Sequence, residues 1–360
     1  MTAAVITAPQ QVVHQQVSIP QIQAAQVLVR LEGCGLCGSN VPLWEGREWF
    51  DYPRAPGNPG HEGWGRVVEI GSAVQTVAIG DRVAFLSENA FAEYDVAAEH
   101  AVVKLPPALD GQPFPGEPLA CAMNVFARSG IGPGETVAVI GIGFLGALLT
   151  QLAVAAGARV IAISRRDFSL TVARNCGASV TIAMLDHWEI IEEVKALTDG
   201  NGCDCVIEAV GLQWPLDLAA ELTRIRGRLI VAGYHQDGLR QVNMQLWNWR
   251  GLDVVNAHER EPAVYTAGMQ AAVDAVLSGR LTPQMLYTHE IPLAQIAEAF
   301  ALLQERPPEF LKALVVMDDT APRANRQVDQ THRQFKHVAA VQSDLQGELN
   351  GMASSKGAGS

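Results

Sequence analysis

A chain of 360 residues with a formal net charge of −12 and no cluster of lysine or arginine does not suit a nucleic-acid surface. It is 48% hydrophobic, enough to bury large cores, and its length suggests about two domains. No apolar run approaches the ~18 residues of a membrane-spanning helix. Six cysteines are too few for a disulfide scaffold, so a reduced, cytosolic protein is expected.

The opening MTAAVITAPQQVV lacks the basic start and long apolar core of a secretory signal. Up to about residue 105 the chain reads as short strands between glycines, in QVLVRLEGCG, GWGRVVEIGS, GDRVAFLS and FAEYDVAAEHAVVKLP. That style predicts an all-β, barrel-like domain. PPALDGQPFPGEP (106–118), with five prolines and two glycines, predicts a connection. From about residue 121 apolar strands at 136–140, 159–163, 203–210, 228–233 and 252–257 alternate with helix-patterned segments, which predicts a parallel, doubly wound sheet. YTHEIPLAQIAEAFALLQ and FLKALVVM then give a strand, a helix and a strand that can return to the first domain. After Met317 the chain is polar and mixed in charge, a tail with a possible helix over 326–347.

VAVIGIGFLGALLTQLA carries Gly141, Gly143 and Gly146 as G-x-G-x-x-G, with Phe144 and Leu145 between the last two. It follows a predicted strand and opens a predicted helix, the context that makes the motif a dinucleotide site. Its glycines permit a tight turn and close approach of a pyrophosphate to the helix N-terminus. At the end of the next strand an NAD enzyme usually places an acid. Here Ser164, Arg165 and Arg166 stand there, a hydroxyl and two guanidiniums suited to a 2′-phosphate, which points to NADP. The alternative is NAD, with the arginines a solvated turn and Asp167 serving the ribose.

GCGLCGSN places Cys34 and Cys37 in a C-x-x-C spacing, open to a zinc knuckle, a redox pair or coincidence. Downstream lie His61 and Glu62, then Glu117. Cysteine, histidine and carboxylate are the ligand types of a catalytic zinc with one open position, and there is no second C-x-x-C to close a structural site. Cys203 and Cys205 sit in an apolar strand, where burial is expected.

GCGLCGSN, GHEGWGRVVEIGS, IGDRVAF, FAEY, EPLACAMNVF and VIGIGFLG follow one another in an order and spacing that resemble the zinc-dependent medium-chain alcohol and polyol dehydrogenases, from about Val27 to about Met317. The resemblance implies an α/β chain: a GroES-like β-barrel catalytic domain over 1–120, completed by about 286–317, a Rossmann NAD(P)-binding domain over 121–285, and a polar tail over 318–360. It also implies a homodimer or homotetramer joined through Rossmann edge strands. Cys37 and His61 match two catalytic zinc ligands, Glu62 an adjacent acid that is a ligand or its neighbour, and Glu117 the acidic third ligand of sorbitol-like members. Ser39 matches the hydroxyl that contacts the substrate oxygen, and Cys34 a site that is simply small in many relatives. One zinc ion is implied, since GDRVAFLSEN passes almost directly into AFAEY with no four-cysteine lobe for a structural zinc. Asn40 and Pro42 replace the aspartate and relay histidine that relatives often carry.

The implied reaction is hydride transfer between an alcohol or carbonyl substrate and a nicotinamide, with Cys37, Ser39, His61 and Glu62 at the catalytic centre. Trp44 and Trp49 can line the cleft, and Trp247, Trp249, Asn256, His258 and Arg260 fall where relatives approach the nicotinamide. Aromatic faces and an acidic ligand favour a polyol, cyclitol or sugar-like hydroxyl. The alternatives are a biosynthetic carbonyl or aldehyde reductase, an NAD-dependent polyol dehydrogenase, and a nucleotide-binding protein without catalysis.

Overall fold

The computed structural model describes residues 1–317; the tail expected over 318–360, with its helix at 326–347, lies outside the described residues. The chain opens with the hairpin β1 (Thr2–Ala8) and β2 (Gln11–Gln16), followed by the long strand β3 (Gln26–Gly35) and the short helix α1 (Val41–Glu45). Strands β4 (Gly63–Ile70), β5 (Arg82–Phe85), β6 (Tyr94–Ala98) and β7 (Val102–Lys104) complete the first β-rich segment. Helix α2 (Gly116–Ser129) leads into β8 (Thr136–Ile140), α3 (Phe144–Ala155), β9 (Arg159–Ser164), α4 (Asp167–Asn175), β10 (Val180–Ala183) and α5 (His187–Leu197). Then come β11 (Cys203–Glu208), α6 (Gln213–Leu222), β12 (Thr223–Val231), α7 (Met244–Arg250), β13 (Asp253–Asn256) and α8 (Pro262–Leu277). Strand β14 (His289–Pro292), helix α9 (Ile296–Glu305) and β15 (Ala313–Val316) end the described chain.

Two larger sheets result. One runs β14-β15-β3-β4-β5-β7, with β6 also paired to β3. β6 and the second half of β4 alternate buried with more exposed positions, as antiparallel strands with one wet face do, whereas β5 is buried throughout. β15 returns antiparallel to β3, with Val315 opposite Cys34. The other sheet is parallel in the order β10-β9-β8-β11-β12-β13. β8 is buried almost throughout because helices cover both faces. The strand order reverses between β8 and β11, the switch point where such sheets bind ligands at the strand ends. The turn after Ile140 sits there.

Helix α9 buries Ile296, Ala299, Phe300 and Leu303, an i, i+3, i+4, i+7 stripe. Phe300 stacks on Trp44 at 4.8 Å and meets Phe91 edge-on at 5.7 Å. Trp44 is thus a core residue, which corrects the expectation that it lines a cleft; Trp49, 55% exposed, packs only loosely on Phe50. A second hydrophobic cluster runs from Trp64, Ala84 and Val103 through α2 to Val137 and Leu148, so the barrel and the parallel sheet share one core. The connection after Leu105 is pinned by the buried Arg82, which donates to Glu32 at 2.6 Å, Leu109 O at 2.7 Å and Gln112 O at 2.6 Å. Among the described residues no helix is long and apolar enough to cross a membrane.

Candidate active site

Cys37 follows β3 on a single 3-10 turn, and His61 and Glu62 precede β4, its hydrogen-bonded neighbour. Strand pairing therefore brings the two loops together. One ligand atom from each of Cys37, His61 and Glu62 lies within 4.8 Å of the others. Asn40, only 2% exposed, clasps both loops: its Oδ1 accepts from Cys37 N at 3.0 Å and its Nδ2 donates to Pro59 O at 3.3 Å. Pro59 O also accepts from His61 Nδ1 at 2.9 Å, which leaves Nε2 as the nitrogen a metal would take in place of a proton. Burial opposes charge on His61, yet the Cys37 hydrogen bond and negative charge, with Glu117 and Glu62, push it up to about 10. A site that draws a proton so strongly draws a divalent cation for the same reason, so the donor set fits the zinc that its chemistry implies.

Glu62 is fully buried and ion-paired. Lys312 Nζ, on the residue before β15, donates to Glu62 Oε1 at 2.7 Å, to Oε2, and to Leu36 O at 2.8 Å. Only glycine fits at 35, since a Cβ there would lie 1.8 Å from Glu62 Oε2. Glu117 lies in the first turn of α2 and is not part of the 4.8 Å grouping. Its carboxyl is raised by burial and by Glu62, against the lowering charge of His61, and it accepts from Cys121 Sγ at 3.4 Å. Cys34 is fully buried in the barrel core, outside the grouping, with its thiol driven far up by burial and by Glu62. Cys203 and Cys205 are also buried.

Ser39, Asn40, Leu43, Phe50, Arg54 and His61 line a cleft of about 300 Å³. A larger surface concavity of about 430 Å³, between His100, Lys104 and Gln270, holds none of these groups. Of the aromatic candidates nearer the C-terminus, Trp249 is 87% exposed on α7, Trp247 is partly buried against the sheet, and His258 lies beside Tyr234 at 5.7 Å. Asn256 and Arg260 are exposed.

On the parallel sheet, Gly141 has φ +95° and Gly146 packs so close that a Cβ would sit 2.0 Å from Gly141 O. A Cβ on Gly143 would meet nothing within 4 Å, which leaves room for a phosphate at the start of α3. Phe144 and Leu145 open that helix. Phe144 carries Lys312 Nζ 4.9 Å from its ring centroid and stacks on Tyr287 at 5.9 Å. Ser164, at the end of β9, is 7% exposed; Arg165 is exposed; Arg166 is half-buried and donates to Phe310 O at 2.7 Å. Asp167 is exposed in the first turn of α4, where a carboxylate suits the helix dipole.

Lys312 and the Asn40 clasp escaped the sequence reading. A single lysine inside the apolar run FLKALVVM was the available signal, since a buried charge requires a partner.

The chain matches the family model for the alcohol dehydrogenase GroES-like domain over residues 23–107 and that for zinc-binding dehydrogenase over residues 145–274. A sorbitol dehydrogenase of Halalkalibacterium halodurans is 27% identical over 327 residues, 82% of this chain and 92% of that protein. An alcohol dehydrogenase of Geobacillus stearothermophilus is 30% identical over 252 residues, 61% of this chain and 72% of that protein. A zinc-binding dehydrogenase of Sinorhizobium meliloti 1021, solved bound to NADP, has the same fold with a TM-score of 0.75 at 26% identity, across 88% of this chain and 99% of that one. Barrel, parallel sheet and sequence agree: the chain belongs to the zinc-dependent medium-chain dehydrogenase family and is an oxidoreductase acting on alcohols.

Proposed function

We propose that this dehydrogenase acts on a secondary hydroxyl of a polyol, cyclitol or sugar-like substrate and uses NADP. The observation that carries the reading is the meeting of Cys37 and His61, with Glu62 within 4.8 Å and the charge of Glu117 acting on His61, beside the cleft that Ser39 lines. Cys37 and His61 hold one zinc ion, and the third place falls to Glu117, because both oxygens of Glu62 are engaged by Lys312. When bound, the metal supplies Lewis acidity at the substrate oxygen and the nicotinamide supplies the hydride acceptor. Ser39 takes the hydroxyl proton and passes it outward, the task that the missing relay histidine leaves to it. Asn40 fixes the spacing between Cys37 and His61 through the backbone.

Ser164, Arg165 and Arg166 hold the 2′-phosphate, and Gly141, Gly143 and Gly146 let the pyrophosphate meet the start of α3. The exposed position of Asp167 at a helix start supports its role as a dipole partner over one as a ribose ligand. The domain division at about 120 and 285 and a homo-oligomer through the β13 edge belong to the same reading; β13 is the last strand of its sheet. A panel of polyols, cyclitols, simple alcohols and aldehydes, each with NAD and with NADP, tests it. Highest kcat/KM on a polyhydroxylated secondary alcohol with NADP is expected. Turnover confined to simple primary alcohols, or preference for NAD, contradicts it.

A further inference from the structure

Among the described residues Arg224 pairs with Asp204, Arg228 with Glu135, Arg240 with Asp237 and Arg250 with Glu221. Arg165, Arg166 and Arg306 form no ion pair among the described residues. Arg166 feels both of the others: burial, then the charges of Arg306 and Arg165, hold its guanidinium below its usual range. With no carboxylate paired to them among the described residues, the like charges of Arg306 and Arg165 repel that of Arg166. A bound anion relieves that repulsion.

Arg306 comes from a different element than the other two. It follows α9 at φ +48°, the left-handed region that glycine occupies without strain and arginine does not. Strain of this kind persists where the surroundings require the side chain. The side chain runs back to the catalytic loop: a Cβ on Gly38, the residue after Cys37, would lie 3.3 Å from Arg306 Nη2. Glycine at 38 thus leaves the space that the guanidinium uses. Arg166, from the dinucleotide side, is tied to the same segment through Phe310 O at 2.7 Å.

We propose that Arg306 is a third phosphate contact for the dinucleotide, supplied from the segment after α9 beside Arg166. The proposal rests on the dinucleotide reading above, and the phosphate is either the 2′-phosphate or the pyrophosphate. Two variants separate the side chain from the backbone. Arg306→Gly removes the guanidinium at a position where glycine is relaxed, so its melting temperature is expected to equal or exceed that of the wild type. Arg306→Lys keeps a charge but loses the planar fork.

NADPH, NADH and adenosine 2′-monophosphate are titrated into each protein by fluorescence. Arg306→Gly is expected to bind NADPH at least tenfold more weakly, about 1.4 kcal/mol, with Arg306→Lys between it and the wild type. If the contact is to the 2′-phosphate, adenosine 2′-monophosphate weakens in parallel and NADH does not. If it is to the pyrophosphate, NADH weakens as much as NADPH and adenosine 2′-monophosphate does not. A wild type that prefers NADH refutes the NADP reading alone, and the Arg306 contact still stands if Arg306→Gly weakens NADH. Unchanged affinity of a folded Arg306→Gly for all three ligands overturns the proposal.

Discussion

Replacing Lys312 by methionine isolates the buried ion pair behind the metal grouping. The ammonium has three donors, and the structure gives it three acceptors: two oxygens of Glu62 and Leu36 O. The Lys312 side chain is 5% exposed and that of Glu62 is 0%. Methionine keeps an apolar stem of similar length and removes the ammonium, with its approach to the Phe144 ring. What remains is a carboxylate sealed from water without its counter-ion, a defect of about 3–5 kcal/mol. Loss of one ordinary hydrogen bond would amount to about 0.5–1.5 kcal/mol, so the two explanations separate cleanly. The assay is urea unfolding followed by tryptophan fluorescence, on protein stripped of metal with a chelator so that ligand linkage does not contribute. Lys312→Met is expected to unfold at markedly lower urea, and the double variant Glu62→Gln/Lys312→Met to recover at least half of the loss because neither member of the pair is left charged without the other. A single variant within about 1 kcal/mol of the wild type would refute the reasoning. So would a double variant less stable than either single one.

Cys34→Ser is expected to keep its metal and most of its activity, because the thiol lies in the core and outside the grouping; loss of zinc in that variant would show that both sulfurs serve the site. Glu117→Gln should keep the fold and lower either zinc retention or turnover; unchanged zinc and rate would move the third ligand to Glu62. Arg165→Ala should raise the NADP Michaelis constant by one to two orders of magnitude and leave NAD kinetics nearly unchanged, at about 1.5–3 kcal/mol for a charge-assisted contact. Ser164→Asp should invert the cofactor preference, measured as kcat/KM for both dinucleotides, and no change on either substitution would remove these residues from the phosphate site.

The parallel sheet was legible because its strands are buried on both faces and read as continuous apolar runs, and the glycine turn after Ile140 lies where such a run ends. Strand β10 was not read: VTIA is short, and only Ile182 is buried. The grouping of Cys37, His61 and Glu62 was legible as residue types but not as geometry, since it depends on the pairing of β3 with β4. Trp44 shows the limit of composition. Its closeness in sequence to Cys37 suggested the cleft, and α1 instead turns it into the stack with Phe300, a partner 256 positions later. Lys312 and Arg306 share that distance problem, because what they touch belongs to loops near the start of the chain.

Elemental analysis of the purified protein, alongside Cys37→Ser, tests the zinc centre most directly. About one zinc per chain is expected, with loss of both metal and dehydrogenase activity in the variant. A zinc-free wild type with full activity, or a Cys37→Ser protein that retains its metal, would contradict it.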